Sequence, residues 1–216
     1  MRYVRQASVI AGFIKGNKSC LTTVSFMRVV IAVTGASGAI YAKRLLEALK
    51  QKSVTTDLIV SPTAAQIIEQ ELEISLEVFG SLASRQHKPN DFSSPLASGS
   101  CGVDATVVIP CSMKTLAAAA NGFAENLISR AIDVTIKEKR KLILVPREAP
   151  LSAIHLENML ILSRLGAFII PACPGFYHSP KGINDLADFV VAKVMDALCI
   201  EHDFFDKVHW THKPEE

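Results

Sequence analysis

The amino-acid sequence predicts a three-layer α/β fold, a mostly parallel sheet flanked by helices on both faces. Three observations carry this. Short continuous apolar runs alternate along the chain with longer stretches of helical periodicity. The runs read as strands buried on both faces, which is the pattern of a parallel sheet rather than of a half-exposed one. Several of them end in a Gly-, Ser- or Pro-containing turn that leads straight into a helix.

In chain order, residues 28–34 are β-branched and apolar and form the first strand. Residues 35–39 turn the chain and 40–50 continue as a helix. Residues 56–60 are the second strand, followed by Ser61 as N-cap and Pro62 at the first helical position of a helix to about Leu72. Residues 80–100, rich in Ser, Pro, Asn and Gly, read as a surface loop. A strand at 105–109 precedes a helix at 112–120. A longer helix at 125–139 carries Leu127, Ile128, Ala131, Ile132 and Thr135 on one face. A strand at 142–145, a helix at 152–165 stopped by Gly166, a strand at 167–170 and a final helix at 183–198 complete the chain. Residues 28–200 thus form a single domain, preceded by a basic extension over 1–26 and followed by a tail over 201–216. Met27, immediately ahead of the first strand, is the expected true start.

Composition narrows the function classes. The chain of 216 residues is 49% apolar, which suits a soluble globular protein with one core. No apolar stretch approaches the roughly 20 residues that span a bilayer, so no membrane role is expected. The formal charge of +2 is uneven, because Arg2, Arg5, Lys15 and Lys18 stand in the first 27 residues with no acid among them. The remaining body is slightly acidic and offers no basic stripe for nucleic acid. The five cysteines are odd in number and form no CxxC pair. That argues against a disulfide framework or zinc site and for a reducing, cytoplasmic setting.

Ligands of open parallel sheets bind beyond the carboxyl ends of the strands. The first strand ends in Thr34-Gly35-Ala36-Ser37-Gly38-Ala39, a glycine turn that presents backbone N–H groups to an anion or is simply a tight turn. The turn lacks the full dinucleotide spacing, and Asp57 stands at the start of the second strand, the wrong end for an adenosine ribose. Ser61 at the second strand end suits a phosphate or polyol. The third ends in Cys111-Ser112-Met113-Lys114-Thr115, two hydroxyls and an amine at another helix start. The fourth ends in Pro146-Arg147-Glu148-Ala149-Pro150, polar groups on a stiff loop. The fifth ends in a proline-rich loop with Phe176, Tyr177 and His178. Asp185 and Asp188 read as acids favouring the N-terminus of the last helix, not as a metal site.

Four segments, "TGASGAIYAKRLL", "SPTAAQ", "PCSMKTLAAAANG" and "NLISRAIDVTIKEKRKLILVPREAPLSAIHLENMLILSRLGAFIIPACPGFYHSP", resemble the UbiX-type flavin prenyltransferases over essentially all of 28–200. The resemblance implies a Rossmann-like flavoprotein fold. It implies transfer of the dimethylallyl group of dimethylallyl phosphate to N5 and C6 of reduced FMN, without a metal. It also implies a UbiD-type decarboxylase as recipient of the prenylated FMN, and a homododecamer with sites at subunit interfaces. By motif, Gly35, Ala36, Ser37, Ser61, Ser112, Met113, Lys114, Thr115 and Arg147 would hold FMN. Arg130, Lys137 and Tyr177 would hold the prenyl phosphate. Ser37, Glu71 and Glu148 would be catalytic, with Glu71 supplied at the interface. Lys193 stands where the family usually has arginine; it keeps the charge and loses the bidentate fork. It is expected on the inward face of the last helix, beside Leu186, Ala187, Val190 and Val194.

Other classes fit less well. Tyr177 and Lys181 match the Tyr-x-x-x-Lys spacing of short-chain reductases, but Pro180 between them forbids a regular helix. An FMN-dependent cysteine decarboxylase of the same superfamily would need a catalytic histidine. His155, in an amphipathic helix, reads as a surface residue instead. A non-catalytic FMN-binding protein is the remaining alternative.

Overall fold

The computed structural model describes residues 27–204. The expected extension over 1–26 and most of the expected tail lie outside them. Six strands form one sheet: β1 (Arg28–Val33), β2 (Thr55–Val60), β3 (Arg85–His87), β4 (Ala105–Cys111), β5 (Lys141–Pro146) and β6 (Phe168–Ile169). Their order is β3-β2-β1-β4-β5-β6, and all neighbouring pairs run parallel. The chain builds one half of the sheet outward from β1, then returns to β1 and builds the other half outward from β4. The reversal between β1 and β4 opens a crevice at the carboxyl edge, where sheets of this order bind ligands.

Alternation along the strands makes the three layers. Val29, Ile31 and Val33 of β1 pack on the face covered by α1 (Ala39–Gln51), α2 (Pro62–Leu72) and α7 (Ile183–Leu198). Val30 and Ala32 pack on the face covered by α4 (Met113–Ala120) and α5 (Leu127–Lys137). The helix α6 (Ala153–Arg164) contacts α4 and β6. Its exposed residues include Ile154, Leu156, Leu160 and Ile161, while Asn158 and Leu162 are buried. It is therefore not the amphipathic helix expected around His155, because both of its faces are apolar. Gly166, at φ +92, ends it as expected.

The expected loop over 80–100 needs correction. It contains β3 and a 3₁₀ turn at Pro95–Ala97, and it is preceded by the short helix α3 (Leu76–Gly80). β3 has no apolar residue and could not be seen by periodicity. It is held by Asp57, which is fully buried in β2 and binds Arg28 Nε at 2.5 Å and His87 Nε2 at 2.8 Å, with Arg85 Nε at 3.6 Å. Ser94 Oγ in turn lies 2.9 Å from His87 Nδ1, tying the following loop to the same cluster. β4 also runs two residues past its expected end, through Pro110, where a shift in its register against β5 accommodates the missing N–H.

Asp185 Oδ2 accepts from Lys181 N at 2.7 Å, as an acid at the start of α7 should. Asp188 does something else. It takes Arg44 of α1 bidentately at 2.6 and 2.7 Å and locks α1 to α7. Among the described residues, no helix is long and apolar enough to cross a membrane.

Burial works against the charge of Asp57, but the hydrogen bonds from Arg28 and His87, with the charges of Arg28 and Arg85, outweigh it and hold the carboxyl below its ordinary range. A carboxyl whose pKa is lower folded than unfolded stabilises the fold fully above the unfolded value of about 4, and that contribution fades as pH falls through the folded value. Asp57→Asn leaves Arg28 without its buried partner and should cost about 3–5 kcal/mol at neutral pH. Urea unfolding of both proteins from pH 7 downward checks this. The gap should be full at pH 7 and should close below about pH 4.

Candidate active site

The crevice between β1 and β4 is set by one side chain. Thr34, buried at the end of β1, donates from Oγ1 to the carbonyl of Pro110 at 2.8 Å. The same oxygen accepts from Ser112 N at 2.8 Å. Its own N–H reaches Pro110 O at 3.3 Å. The turn after β1 and the start of α4 are thereby fixed to each other. Gly35 packs so closely on α2 that a Cβ would stand 2.9 Å from Thr63 Cγ2. A cavity of about 500 Å³ opens between these three elements, within the range of small-ligand sites.

Gly35, Ser61, Ser112, Met113, Lys114, Thr115 and Glu148 all line this cavity, so the structure brings together most of the expected flavin set and one expected catalytic acid. Ser61 Oγ caps α2 by accepting from Ala64 N at 3.2 Å. Ser112 Oγ caps α4 through a long bond from Thr115 N, 3.4 Å, and lies 3.1 Å from Thr115 Oγ1. The N–H groups of Thr63, Met113 and Lys114 have no hydrogen-bond partner among the described residues. They are the open donors for an anion. Lys114 Nζ meets Glu125 at 2.6 Å at the rim.

The glycine turn itself is filled from within. Glu71, the second-last residue of α2, accepts from Gly38 N at 2.9 Å and Ala39 N at 2.8 Å. Its carboxylate therefore sits on the positive end of α1 in the same chain. Ala36 is buried in the turn. Ser37 is exposed, and its carbonyl accepts from Arg147 Nε at 3.1 Å, joining the β5 loop to the β1 turn. Glu148 accepts from Ala149 N at 3.0 Å, which steadies its carboxylate on the cavity wall. Asn126, which caps α5 by accepting from Ile128 N and Ser129 N, also lines the cavity and was not legible as a site residue. Its Asn-x-x-Ser capping box was the available signal. Thr34 left no such signal, since its role depends on β4 lying alongside.

The expected phosphate-binding residues, three cations and a tyrosine, fall in two groups. Tyr177 and Lys193 flank Phe189: Tyr177 packs edge-on at 5.7 Å and Lys193 Nζ stands 5.9 Å from the ring centre. Lys193 does not lie on the inward face of α7, and that expectation is corrected. The buried stripe runs through Ala187, Val190, Val191, Val194 and Leu198, and Lys193 falls beyond its edge with Asp196 at 3.6 Å. Arg130 and Lys137 lie along α5 away from the cavity lining. Arg130 is held by Ala97 O at 3.0 Å and Asp133 at 2.6 Å, and Lys137 lies 3.5 Å from Glu138.

Two neighbouring groups are electrostatically quiet. Burial pushes the Cys111 thiol up to about 12, so it is no nucleophile. Burial also raises Tyr41 above the ordinary phenol value, with Cys173 adding to the shift and Arg147 opposing it. Among the described residues, no group of three or more His, Cys, Asp or Glu is placed to hold a metal ion.

Strand order, crevice and open helix starts define an α/β protein built to bind a phosphate-bearing ligand. The family described as Flavoprotein matches residues 18–195. The flavin prenyltransferase UbiX of Methanocaldococcus jannaschii is 52% identical over 181 residues, which is 84% of this chain and 98% of that protein. The enzyme of the same name from Pseudomonas aeruginosa is 46% identical, over 83% of this chain and 93% of its own. The crystal structure of AnUbiX (PadA1) in complex with FMN and dimethylallyl pyrophosphate superposes with a TM-score of 0.80 at 44% identity, covering 81% of this chain and 93% of that one. A dodecameric FMN-dependent UbiX-like decarboxylase from Escherichia coli O157:H7 gives 0.80 at 46%, over 82% and 97%. The chain belongs to the UbiX/PAD1-like flavoprotein family.

Replacing Thr34 by Val keeps shape and removes both hydroxyl bonds. It should cost about 1–3 kcal/mol for each buried group left unpaired, read as a lower urea midpoint at unchanged slope. FMN affinity, followed by flavin fluorescence, should weaken with it, and Thr34→Ser should restore both.

Proposed function

We propose that the protein is a flavin prenyltransferase, joining the dimethylallyl group of dimethylallyl phosphate to N5 and C6 of reduced FMN, with the product passing to a UbiD-type decarboxylase. One observation carries the reading. The chain matches a flavin prenyltransferase at 52% identity over 98% of that protein's length, and Gly35, Ser61, Ser112, Met113, Lys114 and Thr115 of the expected acceptor site line one cavity.

The cavity fits FMN by its chemistry. Two helix starts offer free N–H groups, Ser61, Ser112 and Thr115 offer hydroxyls, and Lys114 offers a cation for the phosphate. Gly35, Ala36, Ser37 and Arg147 would take the ring system, with Glu71 holding their turn in shape. Reduced FMN supplies the nucleophilic N5 and C6. Around it, Tyr177 and Lys193, with Arg130 and Lys137, would neutralise the departing phosphate and lower the barrier electrostatically, the work a metal does in other prenyl transfers. Glu148 would accept the proton lost when the second bond forms, directly or through the released phosphate. Ser37 would help orient the reacting edge.

Arg130 and Lys137 lie apart from Tyr177 and Lys193 in one chain, and α6 exposes Ile154, Leu156, Leu160 and Ile161. We therefore read the working form as a homo-oligomer, a dodecamer like the E. coli relative, in which a second copy completes the phosphate site. We read the folded unit as 28–200, and the odd cysteine count without a CxxC pair supports a cytoplasmic setting. A second reading is a decarboxylase, the activity stated, as FMN-dependent, for the E. coli relative and, without a named cofactor, for a phenylacrylic acid decarboxylase from Aquifex aeolicus at 43% identity and TM-score 0.75. Carbon dioxide release from an acid by this chain alone would favour it. The peptidyl-cysteine decarboxylase EpiD, at 18% identity and TM-score 0.52, shares the fold alone.

Incubation with reduced FMN and each prenyl donor, followed by flavin mass spectrometry and absorbance, tests the activity. Glu148→Gln should bind FMN normally and form product at least about 100-fold more slowly. A chelator should leave the wild type unaffected; lost activity would overturn the metal-free mechanism. Lys193→Arg should keep turnover, whereas Lys193→Met should raise the donor KM roughly tenfold or more with little change in FMN affinity. Equal kinetics for all three would remove Lys193 from the donor site.

A further inference from the structure

Lys114 and Glu125 face each other across the rim of the cavity with 2.6 Å between Nζ and the carboxylate, and both line it. They come from different elements. Lys114 is in the first turn of α4, beside the open N–H groups of Met113 and Lys114 itself. Glu125 ends the connection between α4 and α5. That connection is anchored on both sides of it: Phe123 N bonds Ala118 O at 2.8 Å, and Leu127 N bonds Pro89 O at 2.7 Å. Asn126, the next residue, is committed to capping α5. The backbone under Glu125 is therefore held, while the Lys114 side chain, 77% exposed, is free to swing.

A carboxylate is the wrong charge at the mouth of a site whose open N–H groups, hydroxyls and Lys114 favour an anion, with Glu148 the other acid on its wall. An exposed pair of this kind adds little to stability. Its consequence falls on the ligand. A dianionic phosphate entering the cavity must take Lys114 from Glu125 and then lie near a like charge. A neutral flavin crosses the same rim and leaves the pair intact.

We propose that Glu125 is an affinity-setting residue. It holds Lys114 in the free protein and keeps the affinity for a phosphate-bearing flavin below what Lys114 and the two open helix starts would otherwise give. This rests on the flavin reading of the cavity and deepens it, since an acceptor that becomes a product for another protein must also be released.

The test uses the full chain and two probes, oxidised FMN and riboflavin, titrated by fluorescence at low ionic strength into the wild type, Glu125→Gln, Lys114→Met and the double variant. Glu125→Gln should tighten FMN about three- to tenfold and leave riboflavin unchanged. Lys114→Met should weaken FMN, and the gain from Glu125→Gln should shrink in that background, because there is no longer a cation to release. Added salt should reduce the gain. Unchanged FMN affinity in Glu125→Gln, an equal shift for riboflavin, or an equal gain with and without Lys114 overturns the proposal. A wild type that binds neither flavin overturns the flavin reading beneath it, a different and separately visible result.

Discussion

The hydroxyl of Thr34 is the constraint on which the site depends. It donates to Pro110 O and accepts from Ser112 N, both at 2.8 Å, in a place closed to water. Since an unmade bond there would be costly, the end of β1 and the end of β4 have little freedom relative to each other. The glycine turn, the start of α4 and the loop after β5 hang from those two ends. Arg147 then closes the ring by reaching back to Ser37 O. The cavity wall is thus a small cycle of bonds between strand ends, not a set of independent loops.

Around that frame the helix starts are used unequally. All carry unsatisfied N–H groups, but α1 is neutralised by Glu71 and α5 by Asn126. Only α2 and α4, of these four, keep donors open toward the cavity. The protein's own carboxylate and amide thereby select where a phosphate can go. A glycine-rich turn is usually the first place to look for an anion; here its helix already has one, and the turn is left to pack against α2 and to carry Arg147.

The far end of the sheet solves a different problem. β3 is a short polar edge strand, and such an edge gains little from apolar packing. Asp57 compensates by gathering Arg28, His87 and Arg85 across three strands, and Ser94 extends the cluster into the loop that follows. That loop in turn supplies Ala97 O to Arg130 and Pro89 O to Leu127. The polar cluster at the start of the strands is therefore connected, bond by bond, to the placement of α5, which forms one wall of the site.

The sequence by itself determined the layers, the parallel strands β1, β2, β4 and β5, and the helices α1, α2 and α7, because hydrophobic period, Ser caps and terminal glycines are local signals. It also determined the chemistry at the strand ends, since Ser61, Ser112, Lys114, Thr115 and Glu148 follow apolar runs directly. Only the tertiary structure decided the rest. β3 exists because a buried carboxylate 30 residues before His87 binds its side chains. Glu71 reaches α1 because α2 packs beside it, and Lys193 faces outward because the buried stripe of α7 is centred elsewhere against α1. The apolar residues on both the packed and the exposed face of α6 break the amphipathic rule that made the other helices legible. In each case the deciding partner is distant in sequence, and residue type and spacing do not encode where a distant partner will stand.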